Sequence, residues 1–332
     1  MKRVICFGDF LVRLTAPGHQ RFSQVQSYGI NYTCAESNVC ASLAVMGEKS
    51  AYVTRVPDNP IADAGLGELR RFDVDVSMVV RGGERMGLYY LEQGAAQRPS
   101  RAVYDRTNSG FTTSRRKDFD WKRIFKGADW FHFTGITPSL GGELPQILED
   151  ASREAVARGM HVSCDLNYRS RQWSVEEAAR VLPRLVRHAD CLFANAWDAE
   201  NLLGVDLAGE HDEALAAQAL TRAFPRLKAV AMTRRQEPSA SDNVFGAALY
   251  AGGKLYRSRD YAMHLVDRVG GGDGFAAGLI YALRHRFTPQ KAVEFAAAAG
   301  CLKHSIERDV NLATVEEIRR LAETGSVSRI QR

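Results

Sequence analysis

From Ala128 onward, short apolar runs and amphipathic stretches take turns. "ADWFHFTG", "HVSCDLN", "DCLFAN" and "KAVAMT" read as buried strands, and "ELPQILEDASREAVARG" and "SVEEAARVLPRLVRH" lie between them with helical spacing. This alternation constrains the chain more than any compositional figure. Parallel neighbours need long crossovers, and crossover helices cover both faces of the sheet. The expected fold is therefore α/β, a doubly wound, mostly parallel sheet flanked by helices. The N-terminal third begins in the same way. "RVICFGD" reads as a strand, "SNVCASLAVMG" as a helix stopped by Gly47, "AYVTRVP" as a strand and "IADAGLGELRRF" as a helix.

The rhythm breaks once. "MGLYYLEQG" and "SRAVYDR" are strand-like and partly polar, with Gly94 and Pro99 in the loop between them. They predict a small antiparallel excursion, a β-rich lid on the α/β body. The tail, "GFAAGLIYALRHRF", "TPQKAVEFAAAAGCLKHSI" and "TVEEIRRLAETG", is helical. With no internal repeat or low-complexity linker, residues 1–332 form one expected domain, with the lid drawn from roughly 10–35 and 82–112. Sheets of this kind bind ligands at the carboxyl ends of their strands. Asp9, Gly135, Asp165, Asn167 and Asn195 fall there.

Charge and cysteine use narrow the function. A net charge of +5 spread along the chain suits an anionic small molecule, and no nucleic-acid module is present. The six cysteines form no C-x-x-C pair and no zinc-like spacing, so they read as reduced core thiols. "MKRVICFGDF" enters a strand at once without a signal-peptide core, and no apolar run approaches the roughly 18 residues of a membrane span. The expectation is a cytoplasmic protein with no membrane and no nucleic-acid partner.

"DRVGGGDGFAAG", Asp267–Gly278, carries the chemistry. A helix start offers free N–H groups and the positive end of the helix dipole, and glycines before it let an anion approach the backbone. Gly270, Gly271 and Gly272 thus read as an anion cradle. Asp273 is a negative charge set where the anion should sit. Its natural task is general base, taking a proton from a hydroxyl that attacks phosphorus. Taken alone, it is equally a helix cap. A dinucleotide fingerprint would come early in the chain, and a Walker loop would need a following G-K-[ST]. Neither pattern fits.

The whole stretch resembles the C-terminal signature of the ribokinase (PfkB) family of sugar kinases, usually D-T-x-G-A-G-D-x-F. The resemblance implies ATP as phosphoryl donor, Mg2+, and optionally a monovalent cation such as K+. It implies Asp273 as the base and Gly270, Gly271 and Gly272 as the anion hole. "MGLYYLEQGAAQRPSRAVYDR", "FTGITPSL", "SCDLNYRSRQW" and the ending "SRIQR" are similar to the members that act on 2-keto-3-deoxygluconate. Those members phosphorylate its terminal hydroxyl to give 2-keto-3-deoxy-6-phosphogluconate. By that resemblance Asp9, Cys34, Asn38, Tyr89, Tyr104, Arg106 and Arg169 hold the sugar acid. The arginines agree with this independently: Arg106 and Arg169 each close a strand-like segment, and a planar guanidinium suits a carboxylate. A surface salt bridge is the plainer alternative for each. The resemblance further places Asn195, Thr233, Arg235, Gly270 and Gly272 on the nucleotide. Asn195 and Asp198 match an N-x-x-E motif that holds magnesium indirectly, through water. Lids of this family pair between subunits, which implies a homo-oligomer, a dimer through the lid.

Besides Arg268 for threonine and Gly271 for alanine in the signature, the chain departs from the pattern at four further places. Thr33 and Cys34 in "TCAESNVC" stand where two glycines are usual, so either the backbone is ordinary there or the pocket is reshaped. Asp198 replaces a glutamate and Arg235 a glycine. Arg308 in "IERDVN" also stands for a glycine, expected to be a loop change of small consequence. Two other functions remain open at this level: a kinase for fructose, ribose or a related keto-deoxy acid, and a catalytically weak sugar-acid sensor.

Overall fold

Arg3–Phe7 sets the frame of the molecule. Val4 and Cys6 enter one hydrophobic core, and Ile5 and Phe7 enter another on the opposite side of the same strand. Both faces are apolar because both are covered, as expected of a buried parallel strand. The computed structural model describes residues 2–210 and 212–326, so the ending "SRIQR" lies outside them. A nine-stranded sheet runs in the order Lys254–Arg257, Asp242–Ala251, Ala229–Gln236, Cys191–Phe193, His161–Asp165, Ala128–Thr134, Arg3–Phe7, Ser50–Val53, with Tyr261–His264 beside Asp242–Ala251. The strands from Ala229–Gln236 to Ser50–Val53 are parallel, and the edge built on Asp242–Ala251 is antiparallel.

Helices Ala35–Val45, Gly271–Arg284, Pro289–Lys303 and Val315–Thr324 bury their apolar sides in one core. Leu144–Ala157, Val175–Val186 and Glu213–Ala223 do so in the other. Local chemistry fixes the starts. Ser174 Oγ accepts from Glu177 N while the Glu177 carboxylate accepts from Ser174 N, so two otherwise orphaned donors are satisfied at once. This is the doubly wound α/β architecture expected from the alternation.

A second sheet of four strands runs Gly29–Thr33, Leu11–Thr15, Gly87–Glu92, Arg101–Asp105. Its register aligns Asn31, Arg13, Tyr89 and Tyr104 in one row. Side chains alternate across a strand, so the neighbouring row, Ile30, Leu14, Tyr90 and Val103, points to the other face. Ile30 is 56% and Val103 53% exposed there.

Three local expectations change. "AYVTRVP" is two strands: Ser50–Val53 pairs with Arg3–Phe7, and Arg55–Val56 leaves to pair with Val80–Arg81, because the partner ladder ends at Phe7. Arg169 does not close its strand, which ends at Asp165, and instead sits in the loop beyond it. Arg308 is not inconsequential. It holds φ 68°, the left-handed region that glycine favours, at a cost of about 1 kcal/mol, while its N–H donates to Asp267 Oδ2 at 3.1 Å.

Candidate active site

The glycine turn is built from two different requirements. Gly270 holds φ 84°, and a Cβ there would lie 2.0 Å from the carbonyl oxygen of Asp309. A Cβ on Gly271 would lie 2.0 Å from His304 Cε1. Both glycines press the turn onto the loop beneath it. Gly272 meets nothing within 4 Å, so its side of the turn is open. The helix Gly271–Arg284 begins here, and its first N–H groups have no carbonyl of an earlier turn to bond. Gly271 stands where the family motif usually has alanine, and His304 explains why.

A cavity of about 650 Å³ opens over this turn. Gly270, Gly271, Gly272 and Asp273 line it, with Cys34, Asn38, Tyr89, Tyr104, Arg106 and Arg169 on the sugar-acid side proposed by the sequence. Asn195, Asp198, Thr233 and Arg235 line it as well. Of the residues that the sequence placed at the ligand-binding strand ends, Asp9 and Gly135 are off this lining. Asp9 lies behind Arg106, 3.9 Å from Nη1, and its Oδ1 accepts from Phe10 N. Trp197 and Gln172 are lining residues that the sequence did not mark, and Asp165 is one that it placed at a ligand-binding strand end without a role. For Asp165 the available signal was an acid at the carboxyl end of a strand.

Asp273 is 9% exposed, and its Oδ2 accepts from Asn38 Nδ2 at 2.7 Å. Thr33 Oγ1 donates to Asn38 Oδ1 at 2.8 Å. The carboxylate can only accept, so the amide must turn its nitrogen to Asp273 and its oxygen to Thr33. The backbone at this altered pair is ordinary: neither residue has positive φ, and Cys34 is extended at φ −162°. Burial pushes the Asp273 carboxyl up to about 7, against the lowering effect of the Asn38 hydrogen bond. Burial does the same to Asp165, also to about 7, with the charge of Asp273 adding to the effect. A carboxyl poised near neutrality in a cleft is suited to taking a proton.

Arg106 packs its guanidinium 4.5 Å over the Tyr104 ring, and that ring lies 5.3 Å from the Tyr89 ring. Its Nε and Nη1 are buried without a hydrogen-bond partner among the described residues. Burying such donors unmatched is costly. The residue also lines the cavity, so an arriving carboxylate would meet the charge of its guanidinium. Arg235 sits 5.3 Å over the Phe245 ring, and Arg268 pairs with Glu237 at the rim.

Asn195 and Asp198 cap each other: Asn195 Oδ1 accepts from Asp198 N, and Asp198 Oδ2 from Asn195 N, both at 2.9 Å. The cap reading of Asn195 is thus realised, and it leaves one Asp198 oxygen uncommitted. Burial pushes the Asp198 carboxyl up to about 6. A nearby cation would stabilise its charged form. Among the described residues no group of three His, Cys, Asp or Glu forms a closed metal cage. Mg2+ needs none, because it keeps most of its waters and takes one or two carboxylates beside substrate phosphates. The donor set fits a hydrated Mg2+.

An anion turn, a near-neutral buried carboxyl and an open strand-end cleft define a phosphoryl transferase acting on a hydroxyl. The comparisons give the particular family. The pfkB family carbohydrate kinase profile matches residues 1–307, and the chain belongs to that family. It is an ATP-dependent carbohydrate kinase. A curated 2-dehydro-3-deoxygalactonokinase of Haloferax volcanii is 29% identical over 97% of both chains. A 2-dehydro-3-deoxygluconokinase of Bacillus subtilis is 26% identical over 95% of this chain and 93% of that one. The crystal structure of a 2-dehydro-3-deoxygluconokinase from Thermotoga maritima shares 46% identity and superposes with a TM-score of 0.93, covering 97% of this chain and 98% of that one. Among the described residues no helix is long and apolar enough to cross a membrane.

Proposed function

We propose that the protein phosphorylates the terminal hydroxyl of 2-keto-3-deoxygluconate, giving 2-keto-3-deoxy-6-phosphogluconate. The observation that supports an acidic sugar is Arg106, a cavity-lining guanidinium whose buried Nε and Nη1 have no hydrogen-bond partner among the described residues. A neutral sugar offers them nothing charged. Arg106 and Arg169 grip the carboxylate, Tyr89 and Tyr104 flank the carbon chain, and Cys34 packs beside it. Asp9 backs Arg106 from behind the wall.

In this reading Asn38 holds the Asp273 carboxylate toward the sugar, and Asp273 takes the proton of the terminal hydroxyl as that oxygen attacks phosphorus. The N–H groups of the Gly270–Gly272 turn receive the charge that develops on the transferred group. Thr233 and Arg235 lie on the nucleotide side. Mg2+, when bound with ATP, supplies neutralisation of the phosphate charge, and Asn195 and Asp198 would hold it through water. The small sheet acts as a lid that excludes water. Its outer row, with Ile30 and Val103 exposed, supports a homodimer through the lid. Sedimentation of Val103→Glu checks this: a monomer is expected, and an unchanged mass removes the lid from the interface.

ADP release with magnesium-ATP tests the substrate. The panel is 2-keto-3-deoxygluconate, its C4 epimer 2-keto-3-deoxygalactonate, gluconate, fructose and ribose. Turnover at least tenfold higher with the gluco acid is expected. Preference for the epimer would keep the arginine reading and move the sugar. Preference for fructose or ribose would remove the acid-sugar reading.

A further inference from the structure

Directly behind the glycine turn lies a buried cluster of charged groups that the proposed chemistry does not use. Lys303, the last residue of Pro289–Lys303, has no exposed surface. Its Nζ donates to the carbonyl oxygens of Ile306 at 3.0 Å and Asp267 at 3.4 Å. The Asp267 carboxylate accepts from Arg13 Nη2 at 2.9 Å, Arg308 N at 3.1 Å and Val269 N at 3.0 Å. The Asp309 carboxylate accepts from Arg13 Nη1 and, at 3.2 Å, from Asn31 Nδ2. Asp267 and Asp309 are 4% and 1% exposed, and Arg13 is 1%. Two carboxylates therefore face two side-chain cations, and the charge closes.

This arrangement bears on the optional monovalent cation. A free K+ that ordered the turn from behind would need oxygen ligands there. The oxygens present are the Asp267 and Asp309 carboxylates, which Arg13 holds, the carbonyls of Asp267 and Ile306, to which Lys303 donates, and the Asp309 carbonyl under Gly270. A third positive charge in this dry, neutral cluster would be unpaired and expensive. The site does not fit K+. Position matters as well. Asp309 gives the carbonyl on which Gly270 rests, and Asp267 begins the segment that becomes the turn. Whatever fixes these two residues fixes the aim of the turn's N–H groups.

We infer that Lys303 is a tethered cation that replaces a free monovalent ion behind the anion turn, so that catalysis by this chain needs no K+. Lys303 is thus a positioning residue and touches no substrate. The inference rests on the kinase reading for its kinetic arm only, because a second arm needs no substrate.

The test compares wild type and Lys303→Met at equal ionic strength in KCl, NH4Cl and tetramethylammonium chloride. Wild-type turnover is expected to agree within about twofold across the salts. Lys303→Met leaves two carboxylates against one guanidinium. Its kcat in tetramethylammonium is expected to fall at least tenfold with little change in the sugar KM, and to recover severalfold in K+ or NH4+. The thermal midpoint of Lys303→Met is expected to rise with K+ or NH4+ and not with tetramethylammonium, while the wild-type midpoint ignores the choice. Lys303→Gln, which keeps a donor and loses the charge, serves if Lys303→Met does not fold. Severalfold K+ activation of wild type would overturn the inference. So would variants whose rate and midpoint both ignore K+ and NH4+. If no sugar on the panel is turned over, the substrate reading fails while the midpoint arm still decides this one.

Discussion

The glycine turn has two sides, and they treat buried charge in opposite ways. On the cavity side, Arg106 Nε and Nη1 are buried without a hydrogen-bond partner among the described residues, with the Asp9 carboxylate 3.9 Å behind Nη1. On the far side, Arg13, Lys303, Asp267 and Asp309 bond one another and the backbone. Unmatched buried polar atoms cost free energy, whereas paired ones hold a geometry. The cavity side therefore keeps its charges available for a ligand, and the far side commits the same residue types to stiffness. Stability and activity should separate along this line.

The largest separation is expected at Asp273. Replacement by Asn keeps the shape and removes the base, so kcat should fall by about 10²–10⁴-fold while sugar affinity changes little. Turnover equal to wild type would remove Asp273 as the base. The wild-type carboxyl, held near 7, predicts a kcat/KM that falls about tenfold per pH unit below 7 as the base is protonated. Its folded value lies above the ordinary carboxyl value, so the stability linked to it is present at low pH and lost as pH rises through about 7. Asp273→Asn should accordingly be more stable than wild type at pH 8 and lose that advantage below pH 4, as read by thermal midpoints. A catalytic variant that gains stability marks a group kept for ligand chemistry.

The two arginines give the next contrast. Arg13→Met strands the Asp267 and Asp309 carboxylates and should cost about 3–5 kcal/mol of stability. Arg106→Met removes donors without a hydrogen-bond partner, though also the cation 3.9 Å from buried Asp9, and should cost far less stability than Arg13→Met while raising the KM for the sugar acid tenfold or more. Denaturant midpoints and the two KM values check both halves. Equal destabilisation by the two substitutions would break the comparison, because Arg106 would then be structural.

Much of this was legible in the sequence for physical reasons. Buried parallel strands are continuous apolar runs and crossover helices carry a different period, so the alternation from Ala128 onward announced the large sheet. The turn was legible through its resemblance to the family signature, because three glycines before an acid, taken alone, suit a helix cap equally. The far-side cluster was not. Arg13, Asp267, Lys303 and Asp309 are brought together from distant parts of the chain, and a lone buried lysine at a helix end looks like any surface lysine. "AAAAGCLKH" reads equally as a packed helix and, by the resemblance, as a wall of the adenine pocket. The left-handed backbone at Arg308 was legible only through the glycine usual there, because the fold around the residue sets its φ of 68°. Asp9 was placed by its strand-end position, which located the loop and not the depth behind Arg106.

The smallest expected effect is at Thr33, and it tests how finely the cavity side is tuned. A glycine here could not donate to Asn38, whereas the Thr33 hydroxyl does, at 2.8 Å. Asn38 in turn donates to Asp273, and that bond lowers a carboxyl which burial raises. Thr33→Val keeps the β-branched shape and removes the hydroxyl. Asn38 should then orient less firmly, and the acid limb of the pH profile should move upward by less than about one unit, with a severalfold loss of kcat/KM at pH 6.5 and almost none at pH 8.5. Thr33→Ser should restore the wild-type limb. A Thr33→Val profile parallel to wild type at every pH would mean that Asn38 is held by packing alone. The altered residue would then be a tolerated departure from the glycine pair, with no part in setting the base.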